Sequence, residues 1–231
     1  MKLNEPKIIL EILNIAIDAG NEILKIYDEN IIVESKEDNS PITKADINSN
    51  KIIIDRLKKI DSNIPILSEE SLVTWNNRKN WNKYWLIDPL DGTKEFINRN
   101  GEFTVNIALI ENHIPIFGII YAPAKSLIYY SVKDNGAYKF STNKSIKSLN
   151  NFNLINTKNI KNSTIKVICS RSHTNAEFQQ WVDKHFSKYE LVKSGSSLKF
   201  CLLAEGRADI YPRLGPTSEW DIAAGHIILE E

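Results

Sequence analysis

The chain has 231 residues, enough to bury a sizeable core in one large or two small domains. Its 29 basic and 29 acidic residues cancel, and 42% of its residues are hydrophobic. That balance suits an ordinary globular protein and excludes the broad basic field of a nucleic-acid polymer binder, but not a small anionic substrate at a locally charged site. Cys169 and Cys201 stand far apart in apolar surroundings, outside any C-x-x-C pair. They read as reduced, buried thiols of a cytoplasmic protein. No secretory pattern opens the chain, and no apolar run approaches the roughly 20 residues that span a bilayer.

In chain order, Ile8, Ile12, Ile15, Ala19, Ile23 and Ile26 recur at spacings of three and four, which predicts a helix over 6–27 with Pro6 in its first turn. One short strand and a polar turn around Asn39-Ser40-Pro41 follow over 31–46. A second helix is predicted over 46–60, then a short buried strand in "IPILSEES" (64–71) and a polar excursion over 72–82. A strand over 83–88 precedes three more runs, 103–111, 114–122 and 126–132, whose short polar connections predict antiparallel hairpins. Residues 141–162 are polar and without period, which places a boundary between an N-terminal part, 1–140, and a C-terminal part, 141–231. Beyond it strands over 164–170, 189–195 and 208–214 alternate with helices over 174–186, 196–206 and 218–231, the pattern of an α/β layer.

The segment "WLIDPLDGTKEF" (85–96) concentrates the chemistry. A buried strand ends in Asp88, Pro89 fixes the backbone, and Asp91 follows three residues after Asp88. Carboxylates and carbonyls are the ligands of hard divalent ions, so Asp88, Asp91 and the Leu90 carbonyl suit Mg²⁺. If residues 94–97 are helical, Gly92 and Thr93 present free N–H groups to a phosphate. Asp46, the pair Glu69-Glu70 and Asp221 are further acids near predicted element ends. Taken alone, D-P-x-D-G-T fits a plain turn and helix cap equally well, and "SGSSLKF" (194–200) fits a plain helix start. The histidines 113, 173, 185 and 226 have no zinc spacing, and neither a Walker A nor a G-x-G-x-x-G pattern occurs.

"WLIDPLDGTKEF" together with "WDIAAGH" (220–226) resembles the two signatures of the inositol monophosphatase superfamily of metal-dependent, lithium-sensitive phosphatases. The likeness is closer to its 3′(2′),5′-bisphosphate nucleotidase branch, of the CysQ type. It is carried by "SKEDNSPITKAD" (35–46), "LSEES" (67–71), "DPLDGTKEFINRNGEFTVNIALI" (88–110), "YAP" (121–123), "SRSH" (170–173) and "GSSLKFCLLAEGRADIYPR" (195–213), in order along nearly the whole chain.

The resemblance implies an α/β fold, a layered αβαβα sandwich with an α+β N-terminal part. It implies Mg²⁺-dependent hydrolysis of 3′-phosphoadenosine 5′-phosphate to AMP and phosphate, with lithium sensitivity and a role in sulfur metabolism. By motif position, Glu69, Asp88 and the Leu90 carbonyl resemble the ligands of one Mg²⁺, and Asp88, Asp91 and Asp221 those of a second. A third, weaker ion would touch Asp46. Asp46, Thr93 and Glu69 form the implied catalytic set, with Asp46 and Thr93 orienting the attacking water. Backbone groups of Gly92 and Thr93 would hold the scissile phosphate, Leu90, Asp91 and Asp221 would also contact substrate, and Ser196, Ser197, Lys199 and Arg213 would form the nucleotide end. The alternatives are an inositol monophosphatase or sugar bisphosphatase using the same site, or a non-catalytic remnant. The resemblance also leads one to expect a glycine-rich turn and a strand after Glu231, where this sequence stops within its last helix. A cytoplasmic location, with peripheral contact to the inner membrane, completes the expectation; no oligomeric state is implied.

Overall fold

In the computed structural model, which describes residues 3, 5–28, 33–35, 41–158, 164–171 and 176–231, the isoleucine period becomes helix α1, Pro6–Tyr27. Pro6 occupies the first turn, where its missing N–H costs no helical bond. Residues 36–40 of the "SKEDNSPITKAD" motif and 172–173 of "SRSH", His173 among them, lie outside the described residues. The expected single strand after α1 is two: β1, Val33–Ser35, pairs antiparallel with β2, Pro41–Thr43. Helix α2, Lys44–Ile60, begins two residues earlier than the apolar period suggests, because Thr43 caps it.

Seven strands form one sheet in the order β3-β4-β5-β6-β7-β8-β9. They are β3 (Ile66–Ser68), β4 (Lys83–Asp91), β5 (Thr104–Glu111), β6 (Ile114–Ala122), β7 (Leu127–Val132), β8 (Ala137–Ser141) and β9 (Asn153–Ile155), with one-turn helix α3 (Trp75–Arg78) between β3 and β4. Only β3 and β4 are parallel within it; the other pairs are antiparallel. The sheet therefore continues past residue 140, since β9 pairs with β8 beyond the expected boundary. The surrounding polar stretch hides β9, which is only the three residues Asn153, Leu154 and Ile155.

Both faces of the sheet are covered, so its central strands read as nearly unbroken apolar runs. Val105, Ile107 and Leu109 pack with α1 and α2 on one face; Leu86, Ala108, Ile110 and Ile120 pack on the other with the C-terminal helices α6 (Leu198–Ala204) and α7 (Glu219–Glu230). Gly118 lets α7 approach: a Cβ there would stand 2.6 Å from Ile227 and 2.7 Å from the Ala224 carbonyl oxygen. Beyond α6, strands β10 (Ile165–Ser170) and β11 (Tyr189–Ser194) form a parallel pair, covered by helix α5 (Ala176–His185) through Phe178 and Val182. The layers run α1/α2, large sheet, α6/α7, small sheet, α5, a mixed α/β sandwich about a central mixed sheet. The strand expected over 208–214 is a correction: Ile210 makes one parallel bridge to Val167, after which Pro212, Gly215 and Pro216 prevent a ladder. Both cysteines are buried and unbridged, and among the described residues no helix is long and apolar enough to cross a membrane.

Candidate active site

A bulge in β4 answers why two aspartates stand three residues apart. Side chains alternate along a strand, so a spacing of three would place Asp88 and Asp91 on opposite faces. Asp88 pairs with Asn106 and Asp91 with Thr104, so one extra residue is accommodated between them. The bulge, at Pro89 and Leu90, turns both carboxylates toward the α6/α7 layer. Proline is tolerated there because a bulge leaves a residue out of the ladder. Ser49 of α2 donates to the Pro89 carbonyl at 2.8 Å, and the Leu90 N–H to Asp88 Oδ1 at 3.1 Å.

Gly92 follows at φ +89°, a left-handed position where a side chain is strained, and opens the short helix α4, Thr93–Ile97. The helix expected after Gly92 is thus present, and its first-turn N–H groups have no carbonyl of their own helix to reach.

Asp46 and Asp221 approach from opposite layers by the same local device. Each is the third residue of its helix and turns one carboxylate oxygen back onto the residues that precede it. Asp46 Oδ2 accepts from the Thr43 N–H at 2.7 Å and hydroxyl at 2.6 Å. Asp221 Oδ2 accepts from the Ser218 N–H at 2.9 Å and the Thr217 hydroxyl at 2.8 Å. The capping bonds fix the carboxylates and leave each Oδ1 facing inward. Asp46 Oδ1 accepts from the Thr93 hydroxyl at 3.2 Å, with the Leu90 carbonyl 3.4 Å from the same hydroxyl. Ser197 donates to Asp91 Oδ2 at 2.7 Å and lies 3.1 Å from the Asp221 carbonyl, while Asn106 donates to Ser197 at 2.7 Å.

A cleft of about 230 Å³ opens between these elements, lined by Glu69, Asp91, Gly92, Thr93, Lys94, Glu95, Ser170, Ser196, Lys199, Arg213 and Asp221. Asp88 lies beneath it, 1% exposed. Its carboxyl is pushed well above the usual range by burial and then by the charges of Glu69, Asp91, Asp221 and Asp46. Asp91 is also raised by burial, with the Lys199 ammonium opposing the rise. Burial raises Asp46 too, against the hydrogen bonds from Thr43 and Thr93. Beside these acids Lys199 is buried, which lowers its pKa despite the pull of Asp91. Its ammonium donates to the Ser196 carbonyl and stands 5.6 Å from the Tyr211 ring.

Most of the expected site residues thus line one cleft; Ser197 lines the adjoining pocket, while Asp88, Leu90 in the bulge and Asp46 behind Thr93 lie outside the lining. Ser196 and Ser197 precede α6 rather than begin it, and the Ser197 hydroxyl serves Asp91. Ser196 has φ +46°, and its buried hydroxyl has no partner among the described residues. Arg213 is exposed at the rim, donating to the Pro216 carbonyl at 2.8 Å. Lys94, Glu95, Ser170 and Asn106 are cleft or supporting residues that the sequence reading did not single out. For Lys94 and Glu95 the signal was available, since they directly follow Asp91-Gly92-Thr93.

Oxygen donors converging on a buried, mutually repelling acid set fit a hard divalent cation, whose charge would relieve the raised Asp88. Among the described residues no three or more His, Cys, Asp or Glu are drawn into a finished cage.

The model of the inositol monophosphatase family matches residues 6–231. The chain belongs to the inositol monophosphatase family. Among curated proteins it is similar to the 3′(2′),5′-bisphosphate nucleotidase CysQ of Shigella flexneri, 44% identical over 94% of this chain and 85% of that one. It is also 44% identical to CysQ of Buchnera aphidicola, over 96% and 81% of the two chains. Among solved structures, CysQ from Bacteroides thetaiotaomicron superposes with a TM-score of 0.84 at 39% identity, over 98% of this chain and 87% of that one. A staphylococcal inositol monophosphatase soaked in LiCl shares the fold at a TM-score of 0.75 and 19% identity, over 97% and 79%.

Proposed function

We propose that this family member is a Mg²⁺-dependent phosphatase that hydrolyses 3′-phosphoadenosine 5′-phosphate to AMP and phosphate. The observation that carries this reading is the mixed charge of the cleft: the acids Glu69, Asp91 and Asp221 line it together with the cations Lys199 and Arg213. Glu69, Asp88 and the Leu90 carbonyl would hold one Mg²⁺, and Asp88, Asp91 and Asp221 a second; Asp46 offers a weaker third position. The ions supply positive charge to the scissile phosphate and lower the pKa of water they hold.

The remaining roles belong to the protein. Backbone N–H groups of Gly92 and Thr93 receive the phosphate oxygens at the start of α4. Thr93 orients the attacking water and relays its proton toward Asp46 Oδ1, 3.2 Å away. Burial raises Asp46, which suits it to accept that proton. Lys199 and Arg213 take the phosphate that stays on the product. An inositol ring bearing only hydroxyls beyond its scissile phosphate would give neither cation a second phosphate to hold.

The test is phosphate release by the purified protein with Mg²⁺, comparing the adenosine bisphosphate with inositol 1-phosphate and a sugar bisphosphate. The reading requires the bisphosphate nucleotide to have the highest kcat/KM. Preference for inositol 1-phosphate would replace it with the sister activity, and no release from any of the three would favour the remnant.

A further inference from the structure

Glu102 stands outside the proposed ligand and substrate contacts, yet it joins the two sides of the cleft. It lies in the turn between α4 and β5, and its side chain is only 12% exposed. Arg171, just past β10, reaches it with a two-pronged contact: Nε to Oε2 at 2.8 Å and Nη2 to Oε1 at 2.9 Å. The Gly195 N–H, just past β11, donates to Oε2 at 2.8 Å. One carboxylate of the large-sheet side thus holds both strand ends of the small sheet. Burial alone would raise its pKa; the Arg171 guanidinium and the Gly195 N–H hold it low, so it stays charged.

The clamp fixes a tight piece of backbone. A Cβ on Gly195 would stand 2.7 Å from Glu95 Cγ and 2.9 Å from the Glu102 carbonyl oxygen, so only glycine can approach this closely. The next residue, Ser196, is held at φ +46°, a conformation that a serine does not adopt without support from its surroundings. The Ser196 carbonyl is the acceptor for the Lys199 ammonium. A chain of contacts therefore runs from Glu102 through Gly195 and Ser196 to Lys199.

We propose that Glu102 is a positioning residue for substrate selection. By anchoring Gly195 it keeps Ser196 left-handed and Lys199 aimed into the cleft, and so sets affinity for the substrate's second phosphate. It does not set the rate of phosphate release, which belongs to the acids on β4 and the two capped helices. The inference rests on the proposed reading of Lys199 as the contact to that phosphate.

The experiment compares Glu102→Ala, Glu102→Gln and Arg171→Ala with the parent, using the adenosine bisphosphate and 3′-AMP, which lacks the second phosphate. In Glu102→Ala, KM for the bisphosphate should rise by about tenfold or more while kcat changes by less than about twofold, because charge-assisted contacts to Lys199 are lost in binding. KM for 3′-AMP should hardly move. Glu102→Gln keeps an acceptor for the Gly195 N–H and should fall between parent and Glu102→Ala. Arg171→Ala should resemble Glu102→Gln. Equal losses with both substrates, or a fall in kcat at constant KM, would reduce Glu102 to a structural tie and overturn the proposal. Amide hydrogen exchange provides a reading that is independent of substrate identity. Residues 195–199 should exchange faster in Glu102→Ala while 104–111 keep their protection. Unchanged exchange would defeat the clamp. If the parent fails to prefer the bisphosphate over 3′-AMP, the Lys199 assignment fails by itself, and the exchange result alone decides the clamp. Should Glu102→Ala not fold, Glu102→Gln carries both readouts.

Discussion

The cleft brings an acid end and a cation end close together, and each holds its charge against the same cost. At one end Asp88 is buried among Glu69, Asp91, Asp221 and Asp46, and its carboxyl is driven toward protonation. At the other Lys199 is buried, and its ammonium is driven toward neutrality. The ends differ in how rigidly they are built. The acid end stands on a strand bulge and two helix caps, with Asp46 and Asp221 each fixed by two hydrogen bonds through one oxygen. At the cation end Lys199 sits in the first turn of α6, and the turn that leads into it depends on one left-handed serine and a contact across the layers. Under the proposed function the labour divides along that line: chemistry on the stiff frame, selection on the one set by a single turn and so adjustable by mutation.

The sharpest way to break this division is to remove charge at the stiff end. Asp91→Asn or Asp221→Asn should lower kcat by on the order of 10²–10³, because each takes away a ligand charge where transition-state charge is stabilised. The fold should persist, since Asn can still accept from Ser197 at position 91 or from Ser218 at position 221. Circular dichroism and a Mg²⁺ titration of activity would check both parts. Near-parental turnover in either folded variant at moderate Mg²⁺ would defeat the two-ion assignment.

Removing charge at the adjustable end should act differently. Lys199→Ala should reduce kcat/KM for the adenosine bisphosphate by roughly 10- to 100-fold, the range expected for one charge-assisted contact. Most of the loss should lie in KM, and selectivity over 3′-AMP should shrink with it. Unchanged selectivity would mean that Lys199 serves only its bonds to Ser196 and its packing on Tyr211.

A smaller effect probes the stiff end without mutation. Millimolar Li⁺ should inhibit several-fold, with equal Na⁺ as control. A small monovalent ion can enter a divalent position with too little charge to complete turnover. Activity indifferent to Li⁺ would place the donor set outside the behaviour expected from Asp88, Asp91 and Asp221.

Much of this arrangement was legible in the sequence. The period of Ile8 to Ile26 predicted α1 to the residue, since its apolar stripe is buried in the core. The short polar connections between the runs over 103–132 predicted the meander. The D-P-x-D-G-T segment indicated the site, but not why its spacing works, because the bulge exists only through pairing with Asn106 and Thr104. β9 escaped because Leu154 and Ile155 are too short an apolar run to stand out from a polar stretch. The 208–214 segment misled because Ile210 and Leu214 suggested alternation that Pro212 and Pro216 do not allow. Glu102 carried no local signal at all: its partners Arg171 and Gly195 lie 69 and 93 residues away, and only the fold brings them together.

The smallest expected effect is on stability, and it tests whether the acid end is strained for the sake of its ions. An acid whose pKa is raised in the folded state binds its proton more tightly there than in the unfolded chain. Its contribution is therefore fully present below the unfolded pKa and is lost as pH rises through the folded one. For Asp88 the cause is burial first, then four neighbouring carboxylates, so metal-free protein should lose stability as pH climbs above the ordinary carboxylate range. Asp88→Asn removes that charge while keeping an oxygen for the Leu90 N–H. In the presence of a chelator at pH 7, its Tm should exceed the parent's by about 2–4 °C for each kcal/mol relieved. Near pH 4 the difference should narrow, because the parent's Asp88 is then protonated as well. Added Mg²⁺ should reverse the order, stabilising the parent more than the variant that has lost a ligand charge. Thermal unfolding of both proteins at pH 4 and pH 7, with chelator or Mg²⁺, gives all four comparisons. A variant less stable than the parent at pH 7 without metal, or a gap independent of pH, would show that Asp88 is not held against its own electrostatics.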